Sequence, residues 1–210
     1  METTIDDLRL GSETRLWALI EERTRSGADQ DAIDSKIWEL FGEEWAVMFT
    51  DLTGFSRHTE RFGITHFLQV IHESKKILFP VIAEHNGFLV KSEADSLLLV
   101  FRSPTSALRC ALAMQRACHR ENVRRVAEEE ILLCIGLGFG RILRIGDHDV
   151  WGKEVNAASK LGEDTAKSYE ILVTDAVRRA AEPGVELEYQ PLEHEIPGSK
   201  TNYRLHYKLS

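Results

Sequence analysis

Apolar residues recur at helical spacing in two short stretches near the start of the chain. Leu16, Trp17, Leu19 and Ile20 mark an amphipathic helix over 12–25, and Ile33, Ile37, Trp38, Leu40 and Phe41 mark a second over 31–42. Ser26, Gly27, Ala28 and Asp29 form the linker between them. Two short helices bury too little surface to stand alone, so this piece is expected to pack on the main domain or on a partner subunit. From Trp45 the period changes. A largely apolar run over 45–50 reads as a strand, runs into Asp51 and is broken by Thr53 and Gly54. A long helical region over roughly 57–85 comes next, with Phe67, Leu68, Ile71, Ile77, Leu78 and Ile82 on its apolar face and a kink or break expected at Pro80. Residues 87–101 read as two strands folded over a tight turn at Glu93, Ala94 and Asp95. Ser103 and Pro104 start a helix over 104–121.

The remainder reads as strand 131–139, a turn through Gly140, strand 141–145, a segment 149–162, strand 170–174, and a helix 175–182 that stops before Pro183 and Gly184. Strands over 185–192 and 202–208 close the chain. Helices and strands alternate without the regular period of a doubly wound sheet, which predicts an α+β sandwich.

Composition narrows the function more than the fold. The 210 residues suffice for one sizeable domain and a small appendage. A net charge of −8 without a basic run makes a poor nucleic-acid binder, because duplex affinity rests on neutralising phosphates. A phosphate-bearing ligand should therefore be small and held by local groups or metal. Cys110, Cys118 and Cys134 show no CxxC pairing, which argues against a disulfide framework or a zinc site. The acidic N-terminus has no hydrophobic signal core, and no apolar stretch approaches a membrane span, so the default is a reduced, cytoplasmic protein without membrane insertion.

The chemistry-bearing positions fall at strand ends. Asp51 is delivered to a sheet rim and followed by a loop, 52–56, whose outward amides suit phosphate oxygens; read alone, such an aspartate is more often a plain turn former or helix cap. Asp95 sits in a hairpin turn, where it is again an ordinary turn residue if taken singly. Two carboxylates converging at one rim repel unless a cation lies between them, and a two-metal site suits in-line displacement at phosphorus. Gly136, Gly138 and Gly140 alternate on one strand face, leaving room for a backbone or a ligand, and Arg141 follows with a guanidinium that can fork onto phosphate. No helix opens after these glycines, so a dinucleotide-binding fingerprint is rejected. Asn156 and Lys160 lie four apart on an expected helix and share a face flanked by Ala157, Ala158 and Ser159, placing an amide and a cation where they can grip a sugar and a phosphate.

Taken together, Phe49-Thr50-Asp51-Leu52-Thr53-Gly54-Phe55, Lys91 with Asp95, Gly140-Arg141, and the block from Asp149 through Trp151, Gly152, Val155 and Asn156 to Lys160 resemble the class III nucleotidyl cyclase catalytic domain over roughly residues 44–208. The resemblance implies a ferredoxin-like, palm-type α/β sandwich with a central, mainly antiparallel sheet over 44–210, preceded by a helical extension over 1–43. It implies two divalent ions, Mg²⁺ or Mn²⁺, at Asp51, Leu52 and Asp95, and a cradle for the β- and γ-phosphates including Thr53, Gly54 and Phe55. Arg141 and Lys200 would contact phosphate, Lys91 and Asp149 would read the adenine edge of ATP, Asn156 would orient the ribose, and Lys160 would stabilise the pentavalent phosphorus. It further implies a head-to-tail homodimer with shared active sites. Three residues depart from the family pattern: Lys160 stands where an arginine is usual, Ala94 stands where a glycine is usual, and Glu93 adds negative charge beside the metals. The activity implied is ATP to cyclic AMP. A cyclase for GTP or a pyrimidine nucleotide, and a catalytically weak nucleotide-binding regulatory domain, remain alternatives.

Overall fold

A computed structural model of the protein describes residues 12–53, 61–182, 187–193 and 195–209. Its elements are α1 Ser12–Arg23, α2 Gln30–Phe41, β1 Gly42–Leu52, α3 Ile64–Glu84, β2 Phe88–Glu93, β3 Ser96–Phe101, α4 Pro104–Asn122, β4 Leu133–Ile145, β5 Asp149–Trp151, α5 Lys153–Ser159, β6 Ile171–Thr174, α6 Asp175–Ala180, β7 Glu188–Pro191 and β8 Asn202–His206. The strands form one sheet in the order β2-β3-β1-β4-β6-β8-β7, with β5 folded back on the far end of β4. Every pairing is antiparallel except β4 with β6. The fold is therefore α+β with a mainly antiparallel sheet.

The central strands carry near-continuous apolar sequence because both faces of the sheet are covered. Ala46 and Met48 of β1, with Leu97, Leu99 and Phe101 of β3, face a core built with Phe67, Leu78 and Ile82 of α3 and Leu108 and Met114 of α4. The alternate residues Trp45, Val47, Leu98 and Val100 face the other way, onto Val155 and Ala158 of α5. Each of the buried Val, Leu, Ile, Phe and Met side chains among these contributes roughly 1.5–3 kcal/mol relative to exposure.

Local chemistry sets the boundaries. Asp29 caps α2 by accepting from the Ala32 N–H at 3.0 Å, and Ser103 caps α4 with Pro104 at its first position. Asn122, at the end of α4, accepts from the Ile131 N–H at 2.9 Å and donates to its carbonyl at 3.0 Å. This side chain takes the place of a strand partner, so β4 begins at Leu133 rather than at the expected 131. One further expectation is corrected. Gly140 does not interrupt β4 but pairs with Trp45 within it, because β1 holds the strand in register from Gly42 to Leu52. Pro80 lies inside α3, which continues to Glu84 with Leu78 and Ile82 buried on either side of it.

The N-terminal helices pack on this domain rather than standing apart. Leu16, Leu19, Ile33, Ile37 and Phe41 form a small core with Ile145 and Leu143 of β4. Arg23 grips Asp34 through two bonds of 2.6 and 3.0 Å, tying α1 to α2.

Candidate active site

Asp51 lies near the end of β1, level with Cys134 of β4, and Asp95 lies in the turn between β2 and β3. Because Thr50 pairs with Leu97, that turn folds beside the end of β1. Ser96 donates from Oγ to Asp51 Oδ1 at 3.3 Å. The Asp51 carboxyl is pushed up to about 6, first by burial and then by the neighbouring Asp95 charge, while the Ser96 hydroxyl and the Leu52 N–H oppose the rise. The structure thus brings together the two acids that lie far apart in sequence. Ala94 adopts φ 48°, a left-handed conformation that disfavours any residue with a Cβ. Replacing Ala94 with glycine is expected to stabilise the protein by about 0.5–1 kcal/mol, read as a raised urea midpoint with unchanged m-value.

Among the described residues no lysine or arginine pairs with Asp51 or Asp95. A half-buried pair of repelling carboxylates without a cationic neighbour is a donor set that fits a hard divalent cation. No third Asp, Glu, His or Cys joins them among the described residues. Leu52, with its side chain buried, can offer only main-chain atoms. Phosphate oxygens and water would complete the coordination of Mg²⁺ or Mn²⁺.

Beside this rim lies a cleft of about 260 Å³ lined by Phe49, Leu98, Val150, Trp151 and Val155, with Lys91, Glu93, Ser96, Asp149, Asn156 and Glu163 as its polar groups. Lys91 of β2 and Asp149 of β5 meet across it at 2.8 Å, although 58 positions separate them. The second Asp149 oxygen accepts from the Val150 N–H at 2.8 Å, which fixes the carboxylate plane. Asn156 projects into the same cleft from α5. The arrangement offers one donor, one acceptor and an amide around an apolar slot, which suits a small ligand with a flat apolar face and a polar edge.

The position of α5 depends on the glycine alternation. A Cβ on Gly136 would lie 2.1 Å from the Ala158 carbonyl oxygen, and one on Gly138 would lie 2.4 Å from that of Glu154. Of the two partners open at the sequence level, a backbone or a ligand, it is the α5 backbone that occupies this space. After Ser159 the helix widens into a π-type turn, Lys160–Thr165, closed by Ala166 N–H to Leu161 O at 2.8 Å. Lys160 begins that turn with its ammonium on Asp164 Oδ2 at 2.6 Å, and this hydrogen bond holds the Lys160 pKa above the usual lysine range. Lys200 sits in a loop that also reaches α5: a Cβ on Gly198 would lie 2.3 Å from the Lys153 carbonyl oxygen.

Arg141 is placed elsewhere. Its Nη2 donates to the Trp38 carbonyl of α2 at 2.8 Å, and its guanidinium lies 5.2 Å from the Trp38 ring centroid. Cys134, not Arg141, is level with Asp51 on β4. Seven residues of strand put Arg141 about 23 Å further along. In this chain it braces the N-terminal helices. Thr53 is fixed by its N–H to Leu132 O at 2.9 Å, by Ser168 Oγ, and by a 3.1 Å contact with Cys134 Sγ. Gly54 and Phe55 lie outside the described residues. The residues that sequence reasoning passed over are Ser96 beside Asp51 and Glu163 in the cleft. Ser96 directly follows the Asp95 turn, and Glu163 lies seven residues after Asn156, a helical spacing that pointed to the same face.

Comparison with known proteins agrees with this geometry. The sequence model of the family described as "Adenylate and Guanylate cyclase catalytic domain" matches residues 42–207. The chain is 33% identical over 134 residues to a serine/threonine-protein kinase, pkn2, of Myxococcus xanthus, covering 64% of this chain and 16% of that protein. It is 29% identical over 132 residues to the putative adenylate cyclase 3 of Rhizobium meliloti, covering 63% of this chain and 22% of that protein. It therefore spans less than a quarter of the length of these curated relatives. The crystal structure of an adenylate/guanylate cyclase/hydrolase from Silicibacter pomeroyi superposes with a TM-score of 0.71 at 26% identity, over 80% of this chain and 98% of that one. With an apposed acidic pair at the sheet rim, a polar cleft beside it and a family match over most of its length, the chain belongs to the adenylate and guanylate cyclase catalytic domain family.

Proposed function

We propose that this domain converts ATP to 3′,5′-cyclic AMP and pyrophosphate, as a head-to-tail homodimer in which each active site draws on both protomers. The observation that carries this reading is the meeting of Lys91 and Asp149, remote in sequence, in one cleft with Asn156. A lysine donor and a carboxylate acceptor side by side match the ring nitrogen and exocyclic amine of adenine. Guanine presents a carbonyl where adenine has that amine, and it would leave Asp149 facing another acceptor. Lys91 and Asp149 satisfy each other as an ion pair, so a base would enter by displacing it.

The reaction forms a bond from the ribose 3′-oxygen to the α-phosphorus, breaks the bond from that phosphorus to pyrophosphate, and passes the 3′-hydroxyl proton to water. Asn156 would hold the ribose so that the 3′-hydroxyl points along the line of attack, which is where most of the protein's positional contribution lies. Asp51 and Asp95 would hold the two divalent ions, with Thr53, Gly54 and Phe55 beside the distal phosphates. The ions, when bound, would supply positive charge against the triphosphate. Lys160 would leave Asp164 for the developing charge on phosphorus, and Lys200 would neutralise a phosphate oxygen.

Two features favour a slow enzyme. Lysine lacks the forked donors of arginine, and Lys160 must first be released from Asp164. Lys160→Arg is expected to raise kcat by about tenfold, a change of roughly 1.4 kcal/mol in barrier, with KM for ATP little altered. The strain at Ala94 favours the same reading, of which the limiting case is a domain that binds nucleotide without turning it over. Incubating the protein with each of the four ribonucleoside triphosphates and Mg²⁺ or Mn²⁺, then identifying products by mass, separates these cases. Cyclic AMP from the wild type and none from Asp51→Ala is the expected outcome. A different cyclic nucleotide would reassign the Lys91–Asp149 pair, and binding without any product would establish the regulatory alternative.

A further inference from the structure

Glu154 has no part in the chemistry above, yet it is the one charged side chain buried among the described residues, at 5% exposure. It lies in the first turn of α5 and points away from the cleft. Its Oε2 accepts from the Phe139 N–H of β4 at 3.2 Å and from the Thr174 hydroxyl of β6 at 2.9 Å. No lysine or arginine pairs with it among the described residues. The space it fills is provided by the strand below: a Cβ on Gly138 would lie 3.2 Å from Oε2, and one on Gly140 3.2 Å from Cγ.

A buried carboxylate without a cation is a poor source of stability, since an apolar side chain of similar volume avoids its desolvation cost. What the two hydrogen bonds do supply is a fixed depth and rotation for α5. One anchor is on β4, the other on β6, so the first helical turn is held at two points of the sheet. Two residues further on, the same turn presents Asn156 to the cleft. Thr174 also pairs in register with Asn202, whose Nδ2 donates to Ser199 O at 3.2 Å in the loop that carries Lys200. The Glu154 clamp therefore connects both elements proposed to contact substrate.

We infer that Glu154 is a positioning residue for Asn156, holding the helix turn that aims the amide at the ribose. This rests on the assignment of Asn156 under the proposed function. The test compares Glu154→Met, Glu154→Gln, Asn156→Ala and the Glu154→Met/Asn156→Ala double variant for kcat, KM and Tm. Methionine keeps the volume, so Tm should hold or rise while kcat falls by about tenfold or more, as expected when a reacting group is displaced by a fraction of an ångström. Glutamine should restore most of the rate, because one amide oxygen can take both hydrogen bonds. In the Asn156→Ala background the methionine change should cost nothing further.

Unaltered kcat in Glu154→Met, or an equal loss with and without Asn156, overturns the inference. If Asn156→Ala keeps full activity, the ribose assignment itself fails and the inference falls with it, an outcome told apart by that single variant. Should Glu154→Met not fold, Thr174→Val removes one anchor without changing shape and is expected to give a smaller kcat loss, again absent when Asn156 is alanine. If the wild type binds ATP without turnover, the same cycle read as Kd for ATP by calorimetry decides the matter, with non-additivity expected and additivity contradicting it.

Discussion

Asp51→Asn is expected to lower turnover by about a thousandfold or more, because losing a carboxylate proposed to hold a divalent ion forfeits several kcal/mol of charge stabilisation at roughly 1.4 kcal/mol per tenfold. The same substitution should stabilise the metal-free protein. The Asp51 carboxyl sits at about 6 in the fold, against 3.8 as its ordinary value, so the folded state favours its protonated form. Its contribution to stability is fully present below about pH 4 and is lost as pH rises through about 6. Asparagine cannot ionise and escapes that loss. Allowing for solvent screening of a group little more than half buried, the gain at pH 7–8 is on the order of 1 kcal/mol. Thermal unfolding in EDTA should therefore give a higher Tm for Asp51→Asn than for wild type at pH 7.5, and the gap should close at pH 4. Added Mg²⁺ or Mn²⁺ should raise the wild-type Tm and leave the variant unmoved. A variant that is both less active and less stable in EDTA at neutral pH would indicate a structural role for the carboxylate. A residue that costs stability while serving a reaction is a familiar feature of functional sites.

Much of the candidate site was legible in the residues. A β strand that runs apolar into Asp51, a hairpin turn at Asp95, and the block from Asp149 to Lys160 mark their own positions, because strand ends and tight turns have strong local signatures. The glycine alternation from Gly136 also announced a close approach, and it is the α5 backbone that comes close. Other features depend on long-range register, which no local pattern encodes. Arg141 follows the glycines in sequence, but β1–β4 pairing sets Cys134 beside Asp51 and sends Arg141 to Trp38. The continuous β4 defeated the expectation of a break at Gly140 for the same reason: a neighbouring strand holds an extended glycine in line. Glu154 carries no signal of its own, since nothing nearby in sequence reveals that Thr174 and the Phe139 N–H meet it in the interior.

Mixing two inactive variants should restore activity if the site is divided between protomers. Asp51→Ala leaves the base-reading half intact, and Asn156→Ala leaves the metal-binding half intact. Random pairing of equal amounts makes half of the dimers mixed, and one of the two sites in each mixed dimer carries neither lesion. Recovery to about a quarter of wild-type turnover is therefore expected, from a background lower by orders of magnitude. Rescue should scale with the mixed-dimer fraction, measured on differently tagged chains. Verified mixed dimers without rescue would place all the groups for one reaction on a single chain.

The most direct test is the anomalous scattering of manganese in crystals grown with Mn²⁺ and an ATP analogue that cannot cyclise. Density for manganese between Asp51 and Asp95 of one protomer, with the adenine against Lys91 and Asp149 of its partner, is the predicted result. A bound nucleotide with its metal away from those two carboxylates, or with its base and metal held by the same chain, would contradict it.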